Sequence, residues 1–464
     1  MSAETTGFDR RRHALAVCLV SAFMTGLDVS IVNVALPSIR AGLHATADGL
    51  QWTVSGYALT FGLLLVPAGR MGDARSRRTL FMWGVALFTL ASAACGFAWD
   101  MKVLIAARLV QGMAAGTVNP QVSGLIQQMF ARHERGRAFG ALGATIGLST
   151  AAGPLIGGAL VTLSGPELGW RWVFLVNVPI GLALLPLAWH VLPAPRQDVP
   201  RRRESMDPVG VLLLGVGVAG LLLPFIQRHQ WEGNAKWLII PASLLILGGF
   251  VTWERFYRRE PLVDLALFRK RSYRLGTAIG LFYFAGFTGI FFIFTLYLQS
   301  GLHYSPLLAG LSITPFALGS ASSSVVGGRL VSRAGRRVVV IGLLTVIAGL
   351  AATMAATVLV PGPGAGLATA LPLLVAGIGS GLVISPNQAI TLSEVPPERG
   401  GSAAGVLQTG QRLGSAIGIA TAGSTFFGAL GADWATAFRH GLAVVLLFIF
   451  LSLVAAVYDL ARPR

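Results

Sequence analysis

Charge is scarce in this chain: 12% of its 464 residues are Asp, Glu, Lys or Arg, against roughly 25% in an ordinary soluble domain. That is too little polar surface to coat a water-soluble globule. Cysteine is nearly absent. Cys18 and Cys95 both fall in apolar runs, so neither a disulfide framework nor a cysteine metal centre can be built. The seven histidines all fall in predicted loops or near span ends, so no catalytic or metal-binding cluster forms at one membrane depth. The chain also lacks a Gly-x4-Gly-Lys-Ser/Thr loop, which excludes ATP-driven pumping by this chain alone. No enzyme activity, cofactor or metal is expected.

What the chain has instead is apolar length. Hydrophobic residues make up 54% and the mean hydropathy is +0.69. Runs near 20 residues, long enough to cross roughly 30 Å of hydrocarbon as helices, recur from end to end. Fourteen spans are predicted, near 13–37, 50–69, 79–99, 103–125, 138–163, 172–192, 208–226, 236–254, 276–298, 304–328, 338–360, 366–391, 402–428 and 438–460. The fold class is all-α integral membrane. Span 1 lacks a cleavage site and reads as retained, not as a signal peptide.

The net charge of +17 would suit nucleic acid only if it lay on one solvated face. It is distributed by topology: with the N-terminus inside, 28 of the 36 Lys and Arg fall on inner segments and six on outer loops. By the positive-inside rule both termini are cytoplasmic. The expected partners are a small molecule, protons and the lipid bilayer, with no nucleic acid, for a monomer in the plasma membrane.

A repeat organises the chain. Residues 69–78 (Gly-Arg-Met-Gly-Asp-Ala-Arg-Ser-Arg-Arg) and 328–337 (Gly-Arg-Leu-Val-Ser-Arg-Ala-Gly-Arg-Arg) align without gaps, 259 positions apart. At that offset spans 1–6 map onto spans 9–14. Two six-helix bundles, 1–193 and 276–464, then flank segment 194–275, which holds inserted spans 7 and 8. Its first part, 194–207, is polar and Pro-rich and reads as a linker.

Several motifs carry a family resemblance. They are Leu27-Asp-Val-Ser-Ile-Val-Asn-Val-Ala-Leu-Pro37, the 69–78 loop, Arg108-Leu-Val-Gln111-Gly112, Gly147-x5-Gly153-Pro154-x2-Gly157-Gly158, Trp170-Arg-Trp-Val-Phe-Leu-Val-Asn177-Val-Pro179-Ile-Gly181 and the 395–412 stretch. Together they resemble the major facilitator superfamily, specifically its fourteen-span drug:proton antiporter branch. The resemblance implies a major facilitator fold and proton-coupled efflux.

Asp28 is the one acid deep in a span, where an ionisable group is costly and usually functional. Ser21 and Thr25 share its helical face. It reads either as a proton or cation site or as a neutral carboxyl capping a helix break near Pro37; the resemblance implies the coupling role. Arg108 cannot shed its charge and needs acceptors. The resemblance links its motif to proton transfer; the alternative is a structural pair joining spans 1 and 4. Arg412, beside Gln408 and Gln411, raises the same question in the second half.

Gly153, Pro154, Gly157 and Gly158 combine absent side chains with an absent backbone donor, which suits close packing or a hinge. The resemblance makes them a signature of export-type members. In the 69–78 loop, Gly69, Asp73, Arg77 and Arg78 are expected to form a cytoplasmic latch stabilising the outward-open state, its carboxylate favoured by a neighbouring helix N-terminus. Ala74 and Ser76 depart from the family pattern, and the second copy has Ser332 in place of Asp73, so latching is expected to be asymmetric.

Aromatics concentrate in spans 9 and 10. Tyr283, Phe287, Phe291 and Phe294 follow helical spacing and with Gln299 would suit a lipophilic or planar cationic ligand. The predicted cavity residues are Thr25, Asn33, Tyr57, Gln111, Tyr283, Phe287, Phe291, Asn387, Gln408 and Arg412. The function these features imply is proton-coupled export of lipophilic or cationic drugs or a natural product; the alternative is a proton-symporting or uncoupled importer of a small metabolite.

Overall fold

The computed structural model describes residues 2–165, 167–194, 207–226, 235–257, 261–431 and 433–461. The predicted 194–207 linker, apart from its two end residues, lies outside them. No strand occurs among the described residues. The helices are α1 (Ser2–Leu43), α2 (Ala47–Ala74), α3 (Arg77–Gly96), α4 (Met101–Met129), α5 (Arg135–Ser164), α6 (Gly169–Leu175), α7 (Asn177–Val191), α8 (Pro208–Ile226), α9 (Ile239–Phe256), α10 (Arg271–Leu296), α11 (Pro306–Ala334), α12 (Arg336–Leu359), α13 (Ala365–Ala368), α14 (Ala370–Thr391), α15 (Gly400–Ala429) and α16 (Trp434–Ala461).

Among the described residues, twelve helices are long and apolar enough to cross a membrane, α6 and α7 together counting as one. The fourteen expected spans exceed this count by α8 and α15. The described apolar run of α8 is Pro208–Pro224. α15 is 30 residues long, but Gly, Ser, Thr, Gln408, Gln411 and Arg412 dilute its hydropathy. Elsewhere the helices turn apolar side chains outward as well as inward: on α3, Trp83 and Leu90 are exposed while Phe81, Val85 and Phe88 are buried. Apolar groups on both faces are stable when the surrounding solvent is hydrocarbon.

The repeat is visible in the helix boundaries. α2 and α3 start at 47 and 77, and α11 and α12 at 306 and 336, the same 259-residue offset. The caps repeat too. Thr46 Oγ1 accepts from Gly49 N at 3.2 Å and Ser305 Oγ from Leu308 N at 3.3 Å, each satisfying an orphan donor of a first turn.

The chain folds into two compact units: Met1–Ala131, Ala159–Leu267 and Val395–Thr409 form the first, and Arg132–Gly158, Phe268–Glu394 and Gly410–Arg464 the second. The start of α5 therefore belongs to the second unit and the start of α15 to the first. Glycine makes both crossings possible. In the second unit, a Cβ on Gly136 would meet Gly328 O at 2.4 Å, and one on Gly140 would meet Ser324 O at 2.8 Å. In the first, a Cβ on Gly69 would meet Gly401 O at 2.3 Å, and one on Gly405 would meet Leu65 O at 2.4 Å. Backbones this close admit no side chain.

Candidate functional site: a buried ionic network and a capped helix crossing

In the first unit α1 runs unbroken through Pro37 to Leu43, so Asp28 caps no helix break. It lies fully buried, as do Arg108, Gln111, Ser92 and Asn177. Arg108 Nη1 donates to Asp28 Oδ2 at 2.6 Å and to Gln111 Oε1 at 2.7 Å, and its Nε donates to Thr53 O at 3.0 Å. The guanidinium lies 4.1 Å over the Tyr57 ring and 5.7 Å from that of Phe174. A carboxylate, two neutral oxygens and aromatic faces together compensate a buried cation. The carboxylate is held as fully: Gln111 Nε2 and Asn177 Nδ2 donate to Asp28 Oδ1 at 2.9 and 3.1 Å.

The helical register of α4 explains why Arg108 and Gln111 act together, three residues apart on one face. Asn177 arrives differently. The chain turns between α6 and α7, and Asn177 opens α7 with its amide against Asp28. The sequence motif contained Asn177 without revealing this contact, because no periodicity links α7 to α1. Ser92 Oγ, accepting from Gln111 Nε2 at 2.7 Å, and Cys95 Sγ, 3.6 Å from Gln111 Oε1, complete the network from α3. Asn177 Oδ1 is buried with no hydrogen-bond partner. Chemically, the site presents an acid that can take a proton and an adjacent amide oxygen that can accept a hydrogen bond from it.

Other expected cavity residues are placed separately. Thr25 hydrogen-bonds back to Ser21 O at 3.1 Å, with Asn119 Nδ2 at 3.5 Å. Asn33 is exposed and donates to Val29 O. Gln408, in the part of α15 that joins the first unit, donates to Ser123 Oγ at 3.3 Å. Arg412 is half-buried in the second unit. There Tyr283, Phe287 and Phe291 cluster with Phe284 and Phe316, ring centroids 5.0–5.9 Å apart. Phe294 leaves the expected stripe and packs on Phe438 of α16 at 5.7 Å. Asn387, expected in the cavity, accepts from Arg336 Nη1 at 2.5 Å and donates to Gly276 O at 2.9 Å.

At the end of α2, Asp73 accepts from Gly401 N at 2.9 Å and Ser402 N at 2.7 Å, in the first turn of α15. Here a carboxylate does meet a helix N-terminus, the arrangement the dipole favours. Arg77 Nη2 and Nε hold the same carboxylate at 2.6 and 3.0 Å. Arg77 also donates to Gly124 O, Gln128 Oε1 and Pro397 O. Arg78 points elsewhere, donating to Trp189 O with its guanidinium 4.6 Å from the Trp189 ring. On α5, Gly153 and Gly157 are buried and the helix continues through Pro154. Pro154 faces Gly310 of α11, where an added Cβ would lie 2.8 Å from Pro154 Cβ, whereas one on Gly158 would touch only Leu307, at 4.0 Å. Close backbone crossings of α5 lie at Gly136 and Gly140, ahead of the expected motif.

Residues 18–419 match the profile of the Major Facilitator Superfamily. The chain is 37% identical over 436 residues to the "Probable actinorhodin transporter" of Streptomyces coelicolor, covering 92% of this chain and 74% of that one. It is 32% identical over 412 residues to the "Tetracenomycin C resistance and export protein" of Streptomyces glaucescens, covering 88% and 74%. The solved proton:xylose symporter XylE, bound to 6-bromo-6-deoxy-D-glucose, superposes with a TM-score of 0.68 at 16% identity, covering 97% of this chain and 95% of that one; at that identity the likeness shows the fold. With a profile match over most of its length, the chain belongs to the Major Facilitator Superfamily and is a transporter.

Proposed function

We propose that this chain exports lipophilic, in part cationic, drugs or a natural product in exchange for protons, by alternating access in the plasma membrane as a monomer. The observation that carries the reading is Asp28: a fully buried acid whose two oxygens face donors from Arg108, Gln111 and Asn177. An acid without function would be expensive at this depth. Protonation removes the charge that Arg108 answers, while Gln111 Oε1, Thr53 O and the Tyr57 ring still hold the guanidinium. Turning the Asn177 amide over would exchange its donor for the unpartnered Oδ1, which could accept from the new carboxylic acid O–H. The site can therefore carry Asp28 charged or neutral with its hydrogen bonds kept, as a reversible proton carrier requires.

The cycle follows from one deep acid, hence one proton per turn. Exchange for a monovalent cation moves no net charge, whereas exchange for a neutral substrate moves one, worth about 2.3 kcal/mol per 100 mV. The aromatic cluster around Phe287 would take the lipophilic part of the substrate. Asp73, binding the first turn of α15, serves as the cytoplasmic latch of the outward-open state. In this reading α8 and α15 also cross the membrane, giving fourteen spans with both termini inside. Export is supported by the relative named for exporting tetracenomycin C. Inverted membrane vesicles with an acidic lumen should accumulate a fluorescent lipophilic cation, and collapse of the pH gradient should release it. Accumulation in right-side-out vesicles with an acidic exterior would instead mean import, and would overturn the proposal.

A further inference from the structure

The two helix crossings paved with glycine differ at one point. Gly69 and Gly328 occupy equivalent positions of the repeat, and each packs backbone to backbone against the first turn of another helix: Gly401 of α15 for Gly69, Gly136 of α5 for Gly328. In the first crossing Asp73 gives that turn its carboxylate. In the second the equivalent residue is Ser332, whose hydroxyl turns back to Arg329 O at 3.1 Å. Arg77 and its equivalent Arg336 diverge accordingly. Arg336 Nε pairs with Asp459 Oδ2 of α16 at 2.7 Å, and Asp459 also takes Arg271 at 3.1 Å. Asp459 thus answers two arginines of the second copy but leaves the place of the Asp73 carboxylate unfilled.

At that place the second unit has a pocket of about 1010 Å³. It is lined by Arg132, Arg135, Arg271, Arg333 and Arg336, against which stand only Glu394 and Asp459. The starts of α5, α10 and α12 meet here, so three helix N-termini add their positive ends. Ser272 also lines the pocket; its side chain is 7% exposed and its Oγ has no hydrogen-bond partner. A buried hydroxyl without a partner in a basic cavity is a ready donor to an anion. Loop topology accounts for arginines at this end of the helices, but not for a cavity with an unsatisfied donor in its wall.

We propose that this pocket is a binding site for a phosphate-bearing anion, which supplies to the second crossing the negative charge that Asp73 supplies to the first. Five arginines against two carboxylates leave an excess of positive charge suited to a multi-oxygen anion, and the guanidinium fork matches phosphate. The volume lies at the upper end of small-molecule sites, roughly 300–1,000 Å³, so it admits a headgroup as well as a free ion. The source is either an anionic phospholipid of the cytoplasmic leaflet, a placement that rests on the topology proposed above, or soluble phosphate.

Binding to the purified protein tests this without reference to transport. Inorganic phosphate is titrated calorimetrically, and retention of phosphatidylglycerol is compared with that of phosphatidylcholine by native mass spectrometry. Binding of phosphate alone assigns a soluble source. Preferential retention of phosphatidylglycerol assigns the lipid, and competition between the two probes shows one shared site. Replacing Arg132 and Arg333 together by alanine should weaken binding about tenfold or more, the loss of charge-assisted hydrogen bonds. S332D should displace the anion by supplying its charge from within, and S272A should weaken it severalfold while leaving thermal stability unchanged. Replacing Arg75 and Arg255, which lie outside the pocket, removes the same charge and should leave binding at the parental level. Binding of neither probe, parental affinity in S332D, or equal losses in the two arginine pairs would overturn the proposal.

Discussion

The two halves of the repeat put opposite chemistry into the same frame. At the 259-residue offset Asp28 falls on Phe287 and Tyr57 on Phe316. Where α1 of the first half carries a carboxylate bonded to Arg108, Gln111 and Asn177, the second half sets Phe287 of α10 5.9 Å from Phe316 of α11 in an aromatic cluster. The second half shows that the frame needs no ion pair to be packed. Replacing a buried pair by apolar groups is often neutral or stabilising, so packing alone does not call for the charges of the first half. The two loop copies teach the same lesson: the glycine crossing is common to both, and the carboxylate at the helix N-terminus belongs to one.

The comparison can be broken most severely at Arg108. Arg108→Ala strands Asp28 in the core and should cost about 3–5 kcal/mol, read as a large drop in the melting temperature of the purified protein. Replacing both partners, Asp28→Leu with Arg108→Met, imitates the second half and should recover most of that stability while transport stays lost. A double variant as unstable as the single one would make the network structural.

Next in size is the crossing of α5. Gly140→Leu forces a side chain where a Cβ alone already meets Ser324 O at 2.8 Å, so it should abolish transport. Gly158→Ala, with only Leu307 at 4.0 Å, should stay within about twofold of the parent, since ordinary contact tolerates a methyl. Vesicle transport with matched expression checks both.

A smaller effect is expected at Asp73. Asp73→Asn keeps the shape but weakens both the Arg77 pair and the helix cap, which together account for about 1–2 kcal/mol, or roughly tenfold in transport. Smallest is Phe287→Ala, which should raise the KM for a lipophilic substrate a fewfold and leave proton release unchanged, because the ring lies in the aromatic cluster and not in the ionic network.

Much of this was legible in the sequence for physical reasons. Span length and the 259-residue repeat read directly, because hydrocarbon thickness and the shared helix boundaries leave a local mark in the sequence. Asp28 and Arg108 stood out because ionisable groups are rare at that depth. What the sequence concealed depends on distant partners. Asn177 meets Asp28 through the turn before α7, Asn387 answers Arg336, and Phe294 turns to Phe438. The tight glycines of α5 were overlooked for a related reason: Gly136 and Gly140 lack the adjacent proline that makes Gly153 to Gly158 conspicuous. Their importance comes from Gly328, almost two hundred residues away.

The most direct test of the central claim is substrate-induced proton release from purified protein, comparing the parent with Asp28→Asn. The amide keeps the size and much of the hydrogen bonding of the carboxylate while removing its exchangeable proton. The parent should release about one proton per substrate bound, the number one deep acid can supply, whereas Asp28→Asn should bind a neutral substrate and release none. Proton release from Asp28→Asn equal to that of the parent would place coupling at another residue and contradict the assignment of Asp28.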